Sequence, residues 1–211
     1  MIFSIKYHKI NSKVILLILT NSMIINGLSE YSNPKTKLGR LVKSGNFFPI
    51  IRGLYETDIN RAGYLLAESI YSPSYLSFDF ALSFHGLIPE AVYSYTSATF
   101  EKRKKKIYRT SFGNFYYRDV PSDVFYLEVI SLHEDGYYFK MASPEKALCD
   151  KIYSVAPVRS LKRIVELLEE DLRIDCSELE KLNIKAIEEI APLSHSSNVT
   201  LLEKFLRKNF Q

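Results

Sequence analysis

The stretch KTKLGRLVKSGNFFPIIRGLYE, Lys35 to Glu56, decides how the rest of the chain is read. Leu38, Leu41 and Val42 recur at helical spacing and can share one buried face. Gly45 stands where a left-handed residue ends a helix. Phe47, Phe48, Ile50 and Ile51 read as a strand, Arg52-Gly53 as a turn, and Leu54-Tyr55 as the return. Pro34 suits a first helical turn and Ser32 or Asn33 can cap it, so the helix runs from there to about Ser44. Helix, stop and hairpin in this order is the layout of a winged helix-turn-helix. With the leucines turned inward, the opposite face carries Asn33, Thr36, Arg40 and Lys43, with Lys37 at its side. Arg40 can donate two hydrogen bonds to a guanine edge. Asn33 and Thr36 can address base edges or phosphates, and the lysines supply charge against the backbone. Arg52, at the hairpin tip, suits a phosphate or minor-groove contact. These six residues are the candidate DNA contacts.

The charge distribution agrees. The 211-residue chain has a net charge of +4. Residues 1–60 hold eight Lys/Arg against three Asp/Glu, residues 61–157 eleven of each, and residues 158–211 nine against ten. The positive excess therefore sits with the helix and hairpin, which points to a polyanionic partner at that end. A hydrophobic content of 46% supports a real core, and 15 Tyr plus 13 Phe argue against disorder.

Upstream, Lys6, Lys9 and Lys13 precede the apolar run Val14–Leu19, which has the look of a signal peptide. The run is short and lacks a small-residue cleavage site, so a buried first helix over 12–24 is expected, with a short helix or turn from Ile24 to Tyr31. Cys149 and Cys176 stand at no metal-ligand spacing and make no disulfide framework, which fits a reducing cytoplasm. Cys149, in an apolar helical run, is expected to be a buried small hydrophobe.

Downstream, a domain boundary is expected near Asp58–Arg61, giving a DNA-binding domain over 1–60 and a larger α/β domain over 61–211. Residues 61–72 read as a helix stopped by Pro73. Ser77 can cap a helix that ends before Gly86, and Val92–Thr99 alternates as a strand. Lys102, Arg103, Lys104, Lys105 and Lys106 form a charged turn, a second candidate surface for nucleic acid or a partner. Ile107–Phe112 and Phe115–Arg118 pair across Gly113-Asn114, and Leu127–His133 with Tyr137–Met141 across Glu134–Gly136. A mainly antiparallel sheet of four or five strands is expected. Ser143-Pro144-Glu145 opens a helix, and further helices fall near 158–171, 177–191 and 197–209. The fold class is α+β: a winged helix-turn-helix followed by an α/β domain with C-terminal helices.

Nothing in the chain spells catalysis. It has no Gly-rich phosphate loop, HExxH, GxSxG or CxxC. His85 and His133 read as helix-end and strand-end residues. Glu145, Lys146 and Asp150 form the densest charged group beside a strand–helix junction, where a nuclease would hold Mg²⁺. Glu145 and Lys146 are adjacent and point apart on a helix, so a helix-start glutamate with surface charge is the expectation. The chain is read as non-enzymatic, without cofactor or small-molecule substrate.

Three stretches carry a family resemblance: SYLSFDFALSFHGLIPEAVYSYTSAT (Ser74–Thr99), FGNFYYRDV (Phe112–Val120) and MASPEKALCDKIY (Met141–Tyr153). With LGRLVKSGNFFPIIRGLYE upstream, their order resembles that of the abortive-infection E-type (AbiEi) antitoxins of bacterial type IV toxin–antitoxin systems, over residues 38–155. The resemblance implies an N-terminal winged helix that represses its own operon at promoter DNA. It also implies a C-terminal domain that counteracts a cognate nucleotidyltransferase toxin without a stable complex. A transcription regulator with no toxin partner and a Mg²⁺-dependent nuclease are the competing readings.

Overall fold

The described end of the N-terminal apolar run is a strand. The computed structural model describes residues 18–210, and in it Ile18–Thr20 is a strand, β1, followed by helix α1 over Asn21–Gly27. The Thr20 side chain accepts a hydrogen bond from the Met23 amide and so starts the helix at Asn21. The expected helix over 12–24 is thus corrected for Ile18–Thr20; its part before residue 18 lies outside the described residues, as do Lys6 and Lys9 upstream of it.

Helix α2 spans Pro34–Lys43 as its sequence dictates. Asn33 Oδ1 accepts from the Thr36 amide at 3.1 Å, and Pro34 occupies the first turn. Leu38 and Leu41 are buried. The helix stops at Gly45, whose φ of +72° suits a residue without a Cβ, and the Asn46 amide closes the turn onto Leu41 O. Strands β2 (Phe48–Ile51) and β3 (Leu54–Glu56) follow, joined by Arg52-Gly53. Strand β1 pairs antiparallel with β3, completing a sheet of order β1-β3-β2. Leu19, Ile24, Leu28, Leu38 and Leu41 form its small core, with Phe47 and Tyr55 against it. Ile50 is instead buried in the larger core of the molecule, and Ile18, Phe48, Ile51 and Leu54 pack against that core as well.

Segment 58–61, where the sequence places a boundary, is tied down on both sides. Glu56 is fully buried; its Oε1 accepts from the Thr57 and Asp58 amides, and its Oε2 accepts a short bond from the Tyr137 hydroxyl. Arg61 pairs with Asp58 at 3.4 Å and with Asp135 at 2.8 Å.

The expected helix over 61–72 is instead a 3₁₀ turn at Gly63–Leu66 and a short helix α3 at Ala67–Ile70. Packing sets this: a Cβ on Gly63 would fall 2.3 Å from Phe112 O and from the Tyr95 ring. The chain continues through β4 (Tyr75–Leu76), α4 (Phe78–Phe84), β5 (Ser94–Thr99), β6 (Lys106–Thr110) and β7 (Gly113–Asp119). Then come β8 (Val129–Glu134) and β9 (Tyr137–Ala142). These strands make one six-stranded sheet of order β6-β7-β5-β4-β9-β8, mainly antiparallel, with β5–β7 and β4–β9 parallel. The β6–β7 turn falls on Ser111-Phe112, not Gly113-Asn114, because the Thr110 hydroxyl caps the Phe112 amide and Phe112 enters the core.

Helix α5 (Pro144–Ser154) opens on Ser143, whose side chain accepts from the Lys146 amide. Helix α6 (Leu161–Glu166) runs on through a π-turn at Leu167–Asp171. The expected helix over 177–191 is broken into α7 (Cys176–Leu179) and α8 (Ile184–Leu193), because the Asn183 amide turns aside to donate to Glu145 Oε1. Helix α9 (Ser197–Phe210) closes the described chain. The architecture is mixed α+β with C-terminal helices. The ion pairs expected on the C-terminal helices are there, such as Arg163–Glu166 at 2.8 Å and Arg207–Glu203 at 3.3 Å. Among the described residues no helix is long and apolar enough to cross a membrane.

Candidate nucleic-acid interface

The α2 face divides into residues with structural duties and residues without. Asn33, a candidate contact, has its side-chain oxygen committed to capping the helix. Lys37 is half-buried and places its Nζ 4.8 Å from the centre of the Tyr31 ring. Thr36, Arg40 and Lys43 are exposed, three or four residues apart, and so line one stripe of the helix. Arg52 is exposed at the β2–β3 turn. Among the described residues none of Arg40, Lys43 and Arg52 has an acidic partner, so their positive field is uncompensated toward solvent.

The second basic run is divided by its local contacts. Lys102 folds back: its Nζ donates to Ser72 O at 3.1 Å and lies 5.3 Å from the Tyr71 ring. Lys106 begins β6 and sits over the Tyr108 ring at 5.6 Å. Arg103, Lys104 and Lys105 remain, and they line a cleft of about 360 Å³ with Arg118, Asp119, Tyr153 and Ser154. The loop is fixed by Asp119, whose two carboxylate oxygens accept from the Thr99 hydroxyl and from the Arg103 amide, each at 2.6 Å. A second cleft of about 290 Å³ adjoins the first, with Arg118 in the wall of both. Its other walls come from the start of α4 (Phe78, Asp79), from β5 and from Tyr116 of β7.

Arg118 was not among the candidates, although the strand signals it. In GNFYYRD, Phe115 and Tyr117 alternate into the core, so Tyr116 and Arg118 share the other face. The guanidinium lies 5.3 Å from the Phe78 ring.

Glu145, Lys146 and Asp150 are not surface charge. Lys146 is fully buried and Asp150 nearly so, their charged atoms 2.9 Å apart. The Asp150 carboxylate also accepts from the Tyr75 hydroxyl at 2.9 Å and from Ser77 Oγ at 2.7 Å. Ser77 therefore occupies the cap position of α4 but spends its hydroxyl on Asp150. Burial, then the Asp150 charge, push the Tyr75 phenol well above its ordinary range. Glu145 is buried on the Asn183 amide. Among the described residues no group of three His, Cys, Asp or Glu is arranged to hold a metal ion. Cys149 is buried as expected, with its thiol pushed up by desolvation. His85 ends α4 and bonds Ala142 O at 2.8 Å; His133 packs at a tilt against Tyr138, ring centres 4.6 Å apart.

Comparison with models of known protein families and with curated proteins returns no match for this chain.

Proposed function

We propose that this chain is a non-enzymatic, cytoplasmic antitoxin of a type IV toxin–antitoxin system that also represses its own operon. In this reading α1, α2 and strands β1–β3 are a winged helix-turn-helix. Thr36, Arg40 and Lys43 enter the major groove, and Arg52 on the wing touches the backbone or minor groove. The observation that carries the DNA-binding half is the unpaired cationic stripe on a capped helix that runs directly into a hairpin tipped by another free arginine. Asn33 caps that helix through its side-chain oxygen, which leaves its amide NH₂ for a base or phosphate.

The antitoxin half draws its support from how the three resembling stretches meet. Tyr75 and Ser77 of the first bond to Asp150 of the third, and Arg118 of the second lies over Phe78 of the first. Stretches distant in sequence thus build one packed block around β4, α4, β7 and α5. The partner in this reading is a nucleotidyltransferase encoded alongside.

Two measurements test the proposal. In a gel-shift titration against the protein's own upstream DNA, Arg40→Ala with Lys43→Ala should weaken binding by about tenfold or more and lower the slope of log affinity against log salt by about 2. Unchanged affinity and slope would remove α2 from the interface. Co-expression with the neighbouring open reading frame should rescue growth; a neighbour that is harmless alone would leave a regulator without a toxin partner.

A further inference from the structure

The two clefts that meet at Arg118 are built unlike a surface for duplex DNA. Arg118 is half-buried, and among the described residues no carboxylate pairs with it. A guanidinium offers five donors in a rigid fork, and here they have only the Phe78 ring beneath them. On one side stand Arg103, Lys104 and Lys105, also without acidic partners among the described residues. Asp119 lines that side, but both of its oxygens are already engaged. On the other side the walls are Phe78, Val92 and Tyr116, with the Asp79 carboxylate at the edge, held 2.5 Å from Lys151.

The backbone around this point is strained. Phe78 has φ +56°, Glu101 +56° and Arg103 +55°, all conformations that side chains with a Cβ rarely adopt. Strain of this kind gathers at ligand clamps and persists only where the surroundings enforce it. Here they do: Asp119 grips the Arg103 amide, and Lys102 anchors the loop to Ser72 O. The cations are therefore presented by a fixed loop.

We propose that the Arg118 cleft binds a nucleoside phosphate, either a free nucleotide or the terminal nucleotide of a single-stranded RNA. The basic side takes the phosphates, Arg118 bridges, and the aromatic side takes the base and sugar. A duplex keeps its bases stacked inside and offers no flat face to Tyr116, whereas an unpaired nucleotide presents charge and ring together. The two volumes, about 290 and 360 Å³, suit a ligand of this size. The proposal adds a small ligand to a chain whose sequence suggests none, and it stands whether or not α2 reads DNA.

The test is a fluorescence-anisotropy titration of the full chain into mant-labelled ATP. Saturable binding is expected, displaced by unlabelled ATP and more weakly by inorganic tripolyphosphate. Arg118→Ala should weaken it at least tenfold, and so should the exposed pair Lys104→Ala with Lys105→Ala, which cannot disturb the core. Arg118→Lys should fall between, keeping the charge but losing the fork. A single-stranded RNA hexamer that competes better than ATP would place the natural ligand on an RNA end; a poorer competitor would make it a free nucleotide. Absence of saturable binding to both ATP and RNA overturns the proposal. So does binding indifferent to every variant, or tripolyphosphate competing as well as ATP.

Discussion

Helices α2 and α5 open alike and end in opposite places. Each has a short polar cap followed by proline, Asn33-Pro34 in one and Ser143-Pro144 in the other, and each cap accepts the amide three residues on. Each then carries cations at close spacing. In α2 all but Lys37 are exposed, because only the Leu38–Leu41 side packs against the small core. In α5 the sheet, α4, α8 and α9 surround the helix, so Lys146 is drawn fully inside with Asp150. Local chemistry sets where a helix begins; the neighbours decide what its charges mean.

The sharpest way to break this contrast is to remove the buried cation. Lys146→Ala should destabilise the fold by about 3–5 kcal/mol in urea unfolding, since Asp150 would be left charged and buried. The double change Lys146→Met with Asp150→Leu should recover much of that loss. Arg40→Ala and Lys43→Ala should leave stability within about 0.5 kcal/mol. If Lys146→Ala were equally silent, its burial in the fold would be wrong.

Alkaline titration separates the two regions next. Tyr75 and Tyr117, both in the larger core, have phenols held well above the ordinary value of 10.0 by burial first, and Tyr117 donates to Ala67 O at 2.7 Å. Below pH 10 both states keep these protons and stability does not depend on them. Above it the unfolded chain releases protons that the folded chain retains, so stability should fall as pH rises. Tyr117→Phe should flatten that fall, read from denaturation midpoints between pH 9 and 11. A profile that kept its steepness would detach the effect from this core.

The smallest effect compares the caps directly. Asn33→Ala and Ser143→Ala should each lower stability by about 1 kcal/mol. Asn33→Ala should weaken DNA binding far less than the Arg40 and Lys43 changes. Should it weaken binding more, Asn33 returns to the set of base contacts.

Much of this was readable along the chain. The α2 cap, its stop at Gly45, the β2–β3 hairpin, the α5 start and the Asp135-Gly136 turn all follow from local rules. What was not readable depends on partners far away. Ile18–Thr20 reads as the tail of an apolar helix until β3 is there to pair with it. Lys146 and Asp150, four apart, read as a solvated helix pair, and only Tyr75 and Ser77, some seventy residues earlier, reveal the interior. The basic run at 102–106 looks uniform in sequence, yet the fold sends Lys102 inward and adds Arg118 in its place.

Glu56 has one more consequence, for anyone who would cut this protein. Its carboxylate is buried on a phenol from β9, and Ile50, on the other strand of the β2–β3 hairpin, rests in the larger core. A fragment ending at residue 60 would keep the helix, the hairpin and the Thr57 and Asp58 amides on Glu56, but it would lose the Tyr137 donor and bare Ile50 with the apolar side chains beside it. The workable dissection carries the β8–β9 hairpin along with the first sixty residues, or else keeps Glu56, which water would satisfy, and replaces Ile50 and its apolar neighbours Phe48, Ile51 and Leu54 with polar residues.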